Sequence, residues 1–239
     1  DLRRIADLIR GEQIAVFSDE PYCHMVWRGR HHSLMAQPGM LDQGVAAYTF
    51  SKSHSMSGWR LGYAVSSPET VRVLDVLTNT ALSCVPPFTQ VAGIAAMRHN
   101  RQYRDDRMRD FHRKVELLVR GLRTVEGVEC LMPGGTFYVF PSVVAICNRY
   151  GITSHGLAMY LLEGADDRLG VACLGGECFG DAGAGFLRLS CAQPDDRLRD
   201  AVAFIAEATT RDLRIAAYLA AQPEHRLDTP YETTAGATA

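Results

Sequence analysis

Lysine is almost missing from this chain of 239 residues: of its 25 basic residues only Lys52 and Lys114 are lysines, and the rest are arginines. An excess of positive charge is missing too. The formal net charge is −2 and no basic stripe runs along the sequence, which argues against a dominant nucleic-acid surface. No run approaches the roughly 18 apolar residues needed to span a bilayer, so no membrane partner is expected, and no signal-like apolar segment follows Asp1. Cysteine pairs of the C-x-x-C kind are also absent. The seven cysteines are scattered and odd in number, the pattern of reduced, mostly core residues in a cytoplasmic protein rather than of a metal or disulfide framework. His31 and His32 are adjacent in a polar turn and read as solvated, not as metal ligands.

What remains is an ordinary globular composition of one or two domains, 47% apolar and 22% charged. Leu2, Ile5, Leu8 and Ile9 fall at helical spacing before Gly11. The continuous apolar run Ile14 to Phe17 predicts a strand covered on both faces, as in a parallel sheet. "VAAYTF" and "LGYAVS" predict two more strands, one on each side of a small polar loop. Helices resume near Pro68. The clearest puts Met108, Phe111, Val115, Leu118 and Leu122 on one face, with Asp106, Asp110 and Lys114 at four-residue steps on the other. From Val128 the pattern changes to short strands ("VECLM", "FYVFP", "FLRLSCA"), one helix near 154–163, and a last amphipathic helix carrying Leu198, Val202 and Ile205. That layout suggests a smaller α+β lobe. From about Gln222 the chain is polar and aperiodic, and reads as a disordered tail.

Against this background the position of Lys52 is informative. It follows a buried-type strand and opens the loop in "YTFSKSHSMSGWRLGY". In an open parallel sheet, ligands sit outside the carboxyl ends of the strands. Two such ends carry distinctive groups here, Asp19 with Tyr22 and Ser51 with Lys52, and Arg60 closes the loop. A carboxylate, a phenol, an amine, hydroxyls and a guanidinium on one cleft match the needs of pyridoxal 5′-phosphate: an amine for its aldehyde, an acid partner for its ring nitrogen, and a phosphate cradle. An arginine in place of Lys52 could hold a phosphate but could not condense with an aldehyde.

"SDEPY", "TFSKSHSMSGWRLGY", "GGTFYVFP" and "GGECFGDAGAGFLRLSCA" resemble, in order from Asp1 to about Arg211, the class I/II aminotransferases of the aspartate aminotransferase fold. The most specific part is Ser51, Lys52, Gly58, Arg60 and Gly62. The resemblance implies an α/β fold: the C-terminal part of a fold-type I pyridoxal-phosphate-dependent transferase. Residues 1–97 would belong to the large, cofactor-binding domain with a partial parallel-type sheet, 98–211 would form the small α+β domain, and 212–239 would be a partly disordered tail. It further implies that Lys52 forms the internal aldimine and moves the proton, that Asp19 partners the pyridinium nitrogen, and that Tyr22 donates to the ring oxygen. Arg60 would bind the phosphate with help from Thr49 and Ser51, and Arg188 would bind the substrate's α-carboxylate. The implied reaction moves an amino group between an amino acid and a 2-oxo acid by a ping-pong route, in a homodimer when full length.

Two departures from the family pattern stand out. Gly175 occupies a position where relatives usually have proline, which predicts a looser turn. The family's long N-terminal part, with its glycine turn, stacking aromatic and asparagine, has no counterpart here. The chain is therefore expected to be a piece of a longer enzyme, unable by itself to hold the cofactor tightly. Three alternatives stay open: another fold-type I enzyme such as a β-lyase or a carbon-cyclising synthase, the sensor domain of an aminotransferase-like transcription regulator, and a catalytically dead remnant.

Overall fold

The computed structural model describes residues 1–99 and 101–232. The chain divides into two compact units, the first comprising Asp1–Arg109 with Gly134–Thr136, the second Asp110–Pro133 with Phe137 onward.

In the first unit, helix α1 (Leu2–Ile9) buries Ala6 against Met35, Met40 and Ala46, and Gly11 follows it with φ +82°. Strand β1 (Val16–Asp19) leads through a 28–39 loop and the short helix α2 (Met40–Gln43) to β2 (Gly44–Thr49). β1 and β2 are parallel, with Val16 opposite Gly44 and Asp19 opposite Ala47. β3 (Gly62–Val65) completes the sheet in the order β1-β2-β3 but runs antiparallel to β2, with Thr49 opposite Gly62. The reason lies in the connection. Residues 50–61 contain no crossover helix, so the chain has no means of returning to the other end of the sheet. Gly62 is sterically required, because a Cβ there would lie 2.6 Å from the Tyr48 carbonyl oxygen, whereas Gly58 faces open space.

β1 is not covered on both faces as its apolar run suggests. It is an edge strand, Phe17 is 71% exposed and Ile14 is 48% exposed. Helix α3 (Pro68–Leu82) starts at the Ser67 cap, whose hydroxyl accepts from Thr70 N at 3.3 Å, with Pro68 preset for the first turn. Helix α4 (Pro87–His99) follows.

Helix α5 (Arg101–Leu122) passes from the first unit into the second and buries Met108, Val115, Leu118 and Leu122, as their spacing predicts. A three-stranded antiparallel sheet, β4 (Tyr138–Val139), β6 (Leu187–Ser190) and β5 (Leu174–Gly175), forms in the order β4-β6-β5. The expected strand at "VECLM" is reduced to a single bridge between Glu129 and Ser142, since no longer partner runs beside it. Helices α6 (Val144–Tyr150) and α7 (Ser154–Met159), the latter continued by a π turn through Gly164, pack on each other, and α8 (Asp195–Ala208) lies against α5 with Val202 beside Gly121.

The polar end of the chain departs most from expectation. Residues 212–221 form helix α9 (Asp212–Ala221), with Ile215 and Leu219 buried. Residues 222–232 then return over α6 and α7 through Leu227 N to Gly151 O at 2.8 Å and Thr153 N to His225 O at 2.9 Å. Polar pairing, which leaves no periodic trace in a sequence, holds this segment. The rest of the expected tail, 233–239, lies outside the described residues. Among the described residues no helix is long and apolar enough to cross a membrane.

Candidate functional site

Parallel pairing puts the carboxyl ends of β1 and β2 side by side, so Asp19 to Tyr22 and Thr49 to Lys52 leave the sheet at the same edge. The Lys52 ammonium lies over the Tyr22 ring, 6.0 Å from its centroid. The Thr49 hydroxyl accepts from Ser51 N at 3.0 Å and stands 2.9 Å from the Ser51 hydroxyl. That local turn presents both oxygens together beside the lysine. Behind them Phe50, Met56 and Leu61 form a small buried cluster that fixes the base of the loop. His54 packs on Phe50 at 5.1 Å. Trp59 is 47% exposed.

The loop holds two non-glycine residues in the left-handed region, Ser55 at φ 55° and Arg60 at φ 52°. Each costs about 1–3 kcal/mol, and such strain concentrates where a side chain must be aimed. The Arg60 guanidinium is exposed and donates to Ser57 O at 2.9 Å. Asp19 is also exposed. With Tyr22 it lines a cleft of about 430 Å³ that Lys52, Ser51 and Arg60 do not border. Lys52 and Tyr22 are thus brought together, as are Thr49 and Ser51, while Arg60 is turned onto its own loop.

Glu20, beside Asp19, escaped the sequence reading. Its carboxylate is buried, accepts from Ser33 Oγ and from Ser18 Oγ at 2.9 Å, and lies 2.6 Å from His31 Nε2. Burial pushes its pKa up, but hydrogen bonds from Ser33, His31, Ser18 and Tyr48 outweigh this and hold it below the ordinary carboxylate value. His31 is therefore a partner of a buried carboxylate, not merely solvated. The only sequence signal was a glutamate with two hydroxyls and an imidazole nearby, and nothing local says they converge.

Arg188, on β6 in the second unit, is half-buried and close to two rings. Its guanidinium carbon is 4.5 Å from the Tyr138 centroid and 4.6 Å from that of Phe179. A planar guanidinium held against aromatic rings keeps its N–H edge available for bidentate binding of a carboxylate. The neighbours Phe137 and Tyr138 differ: Phe137 is buried and Tyr138 is half-buried beside Arg188. Gly175 is not loose. A Cβ there would lie 2.5 Å from His155 Cα and 2.8 Å from the Glu177 carboxylate. Of the cysteines, Cys130, Cys147 and Cys191 are buried, whereas Cys84 and Cys178 are exposed, so the expectation of mostly core thiols holds for fewer than half.

Residues 1–205 match the family model of aminotransferase class I and II. An aspartate aminotransferase of Pyrococcus horikoshii is 29% identical over 208 residues, covering 86% of this chain and 51% of that protein. A probable N-acetyl-LL-diaminopimelate aminotransferase of Bacillus subtilis is 32% identical over 202 residues, covering 84% and 48%. The crystal structure of an aromatic aminotransferase from Pyrococcus horikoshii superposes with a TM-score of 0.78 at 28% identity, over 90% of this chain and 56% of that one. The chain thus spans about half the length of the relatives it matches. With a lysine over a tyrosine ring at paired strand ends and a fold shared with solved aminotransferases, the chain belongs to the class I and II aminotransferase family.

Proposed function

We propose that this chain is the catalytic-lysine half of a pyridoxal-phosphate-dependent aminotransferase acting on an amino acid and a 2-oxo acid. The observation that carries the reading is Lys52 Nζ standing 6.0 Å from the Tyr22 ring at the carboxyl edge of β1 and β2, in a chain of this family. The residues present fit the cofactor. The Thr49 and Ser51 hydroxyls, 2.9 Å apart, would supply phosphate donors, as would the Arg60 guanidinium once turned away from Ser57 O, and Tyr22 and Asp19 would supply a phenol and a carboxylate at the neighbouring strand end. When bound, pyridoxal 5′-phosphate supplies an aldehyde for an amine and a ring that takes up an electron pair.

The chain's own residues do the rest. Lys52 Nζ gives the amine and carries the proton as base and acid. The Asp19 carboxylate favours a positive charge on any ring nitrogen set against it. Tyr22 offers its phenolic proton to the oxygen on the ring, and the Arg188 N–H edge takes an α-carboxylate in its plane. Turnover is proposed for the full-length dimer, because the chain covers only about half of its relatives.

The test is borohydride labelling. In the full-length enzyme loaded with pyridoxal 5′-phosphate, reduction should fix the label on Lys52, and Lys52→Arg should fold normally and take none. A label retained elsewhere in that variant overturns the assignment. The 239-residue chain alone should bind cofactor weakly; normal transamination by it overturns that part.

A further inference from the structure

The family match ends at residue 205, yet the chain beyond it is tied back to the second unit. Asn148 clasps the backbone of Tyr231 from both sides: Asn148 Nδ2 donates to Tyr231 O at 2.9 Å, and Tyr231 N donates to Asn148 Oδ1 at 2.8 Å. The tyrosine is thereby seated in a slot. Its ring lies where a side chain at Gly185 would stand, 3.2 Å from an ideal Cβ. Its hydroxyl accepts from Ser154 N at 3.1 Å and donates to Glu177 Oε1 at 2.8 Å. His155 N reaches the same carboxylate oxygen at 3.2 Å.

Glu177 depends on these partners. Its second oxygen, Oε2, is buried and has no hydrogen-bond partner among the described residues. It occupies the space opened by the missing side chain of Gly175. Gly175, Glu177 and Tyr231 therefore form one fitted unit: the glycine makes room for the carboxylate, and the carboxylate receives the tyrosine.

This unit is one turn away from Arg188. Glu177 belongs to the 3₁₀ turn Gly176–Phe179, which is pinned by Gly176 N to Phe186 O at 2.7 Å. The last residue of the turn, Phe179, covers one face of the Arg188 guanidinium. We propose that Tyr231 is a positioning residue. By holding Glu177, its hydroxyl sets the Gly176–Phe179 turn so that Phe179 closes on Arg188 and aims the guanidinium edge at a carboxylate. The proposal rests on the reading of Arg188 as the carboxylate-binding group. It adds a C-terminal latch, outside the part shared with the family model, that preorganises that arginine.

The test uses the full-length enzyme with succinate as the carboxylate probe. Two readouts are taken by NMR, solvent exchange of the Arg188 Nε–H and succinate affinity, with circular dichroism as the check on folding. Tyr231→Phe keeps the ring in its slot and removes only the hydroxyl. It should speed Arg188 Nε–H exchange and weaken succinate binding about fivefold, a typical size for coupling between sites. Glu177→Ala should reproduce this, and Glu177→Gln, which still accepts from the tyrosine, should restore most of it. Unchanged exchange and affinity in Tyr231→Phe, with Arg188→Lys weakening succinate, overturn the latch alone. Faster exchange with unchanged affinity also overturns it, because the hydroxyl would then be merely structural. Arg188→Lys binding succinate as tightly as the unaltered chain removes the reading of Arg188, and the latch falls with it.

Discussion

Helices α3 and α8 are nearly equal in length, at 15 and 14 residues, and both start on well-formed first turns, yet only α8 hides its apolar side. α8 buries Leu198, Val202, Ile205 and Ala208, whereas α3 buries none of its residues and leaves Val76 65% exposed and Leu82 72% exposed. Burying one such side chain is worth about 1.5–3 kcal/mol. An isolated helix of about 15 residues is marginal in water, so capping alone gives α3 little margin. The unit that carries Lys52 is thus the less self-sufficient of the two, because it leaves apolar side chains of α3 exposed.

The sharpest way to break this contrast is to damage the core of the second unit. Leu157 on α7 is fully buried, and Leu157→Ala should cost about 2–5 kcal/mol in a urea titration. A loss below about 1 kcal/mol would mean that the second unit is no better packed than the first. A smaller effect is expected at the one buried carboxylate cluster of the first unit. Because the folded Glu20 pKa lies below its ordinary 4.5, its contribution is fully present above that value and is lost as pH falls through the folded one. Urea titrations at several pH values should show Glu20→Gln less stable than the unaltered chain near neutrality, with the gap closing below about pH 4.5. A gap independent of pH would show that the carboxylate charge is not what holds the 28–33 loop. The smallest effect belongs to α3. Val76→Ser should change stability by no more than about 0.5 kcal/mol while lowering self-association in sedimentation. A loss above about 1 kcal/mol would show that this face is covered in solution and would erase the difference between the helices.

The family was legible because its signature depends on residue type at short spacing. Lys52, Ser51, Arg60 and Gly62 lie on one loop, and the helical faces of α5 and α8 repeat every three or four residues. The sequence by itself therefore determined the family and the main helices. It did not reveal the antiparallel course of β3, the exposed face of β1, the burial of Glu20, the two rings against Arg188, or the return of residues 222–232. Each of these depends on partners far along the chain. Ser33 comes from 13 residues away to Glu20, and Tyr231 from 83 residues away to Asn148. Hydrogen bonds of that reach have no period and no fixed spacing. Only the tertiary structure decided them, because a donor finds a distant acceptor through the packing of everything between.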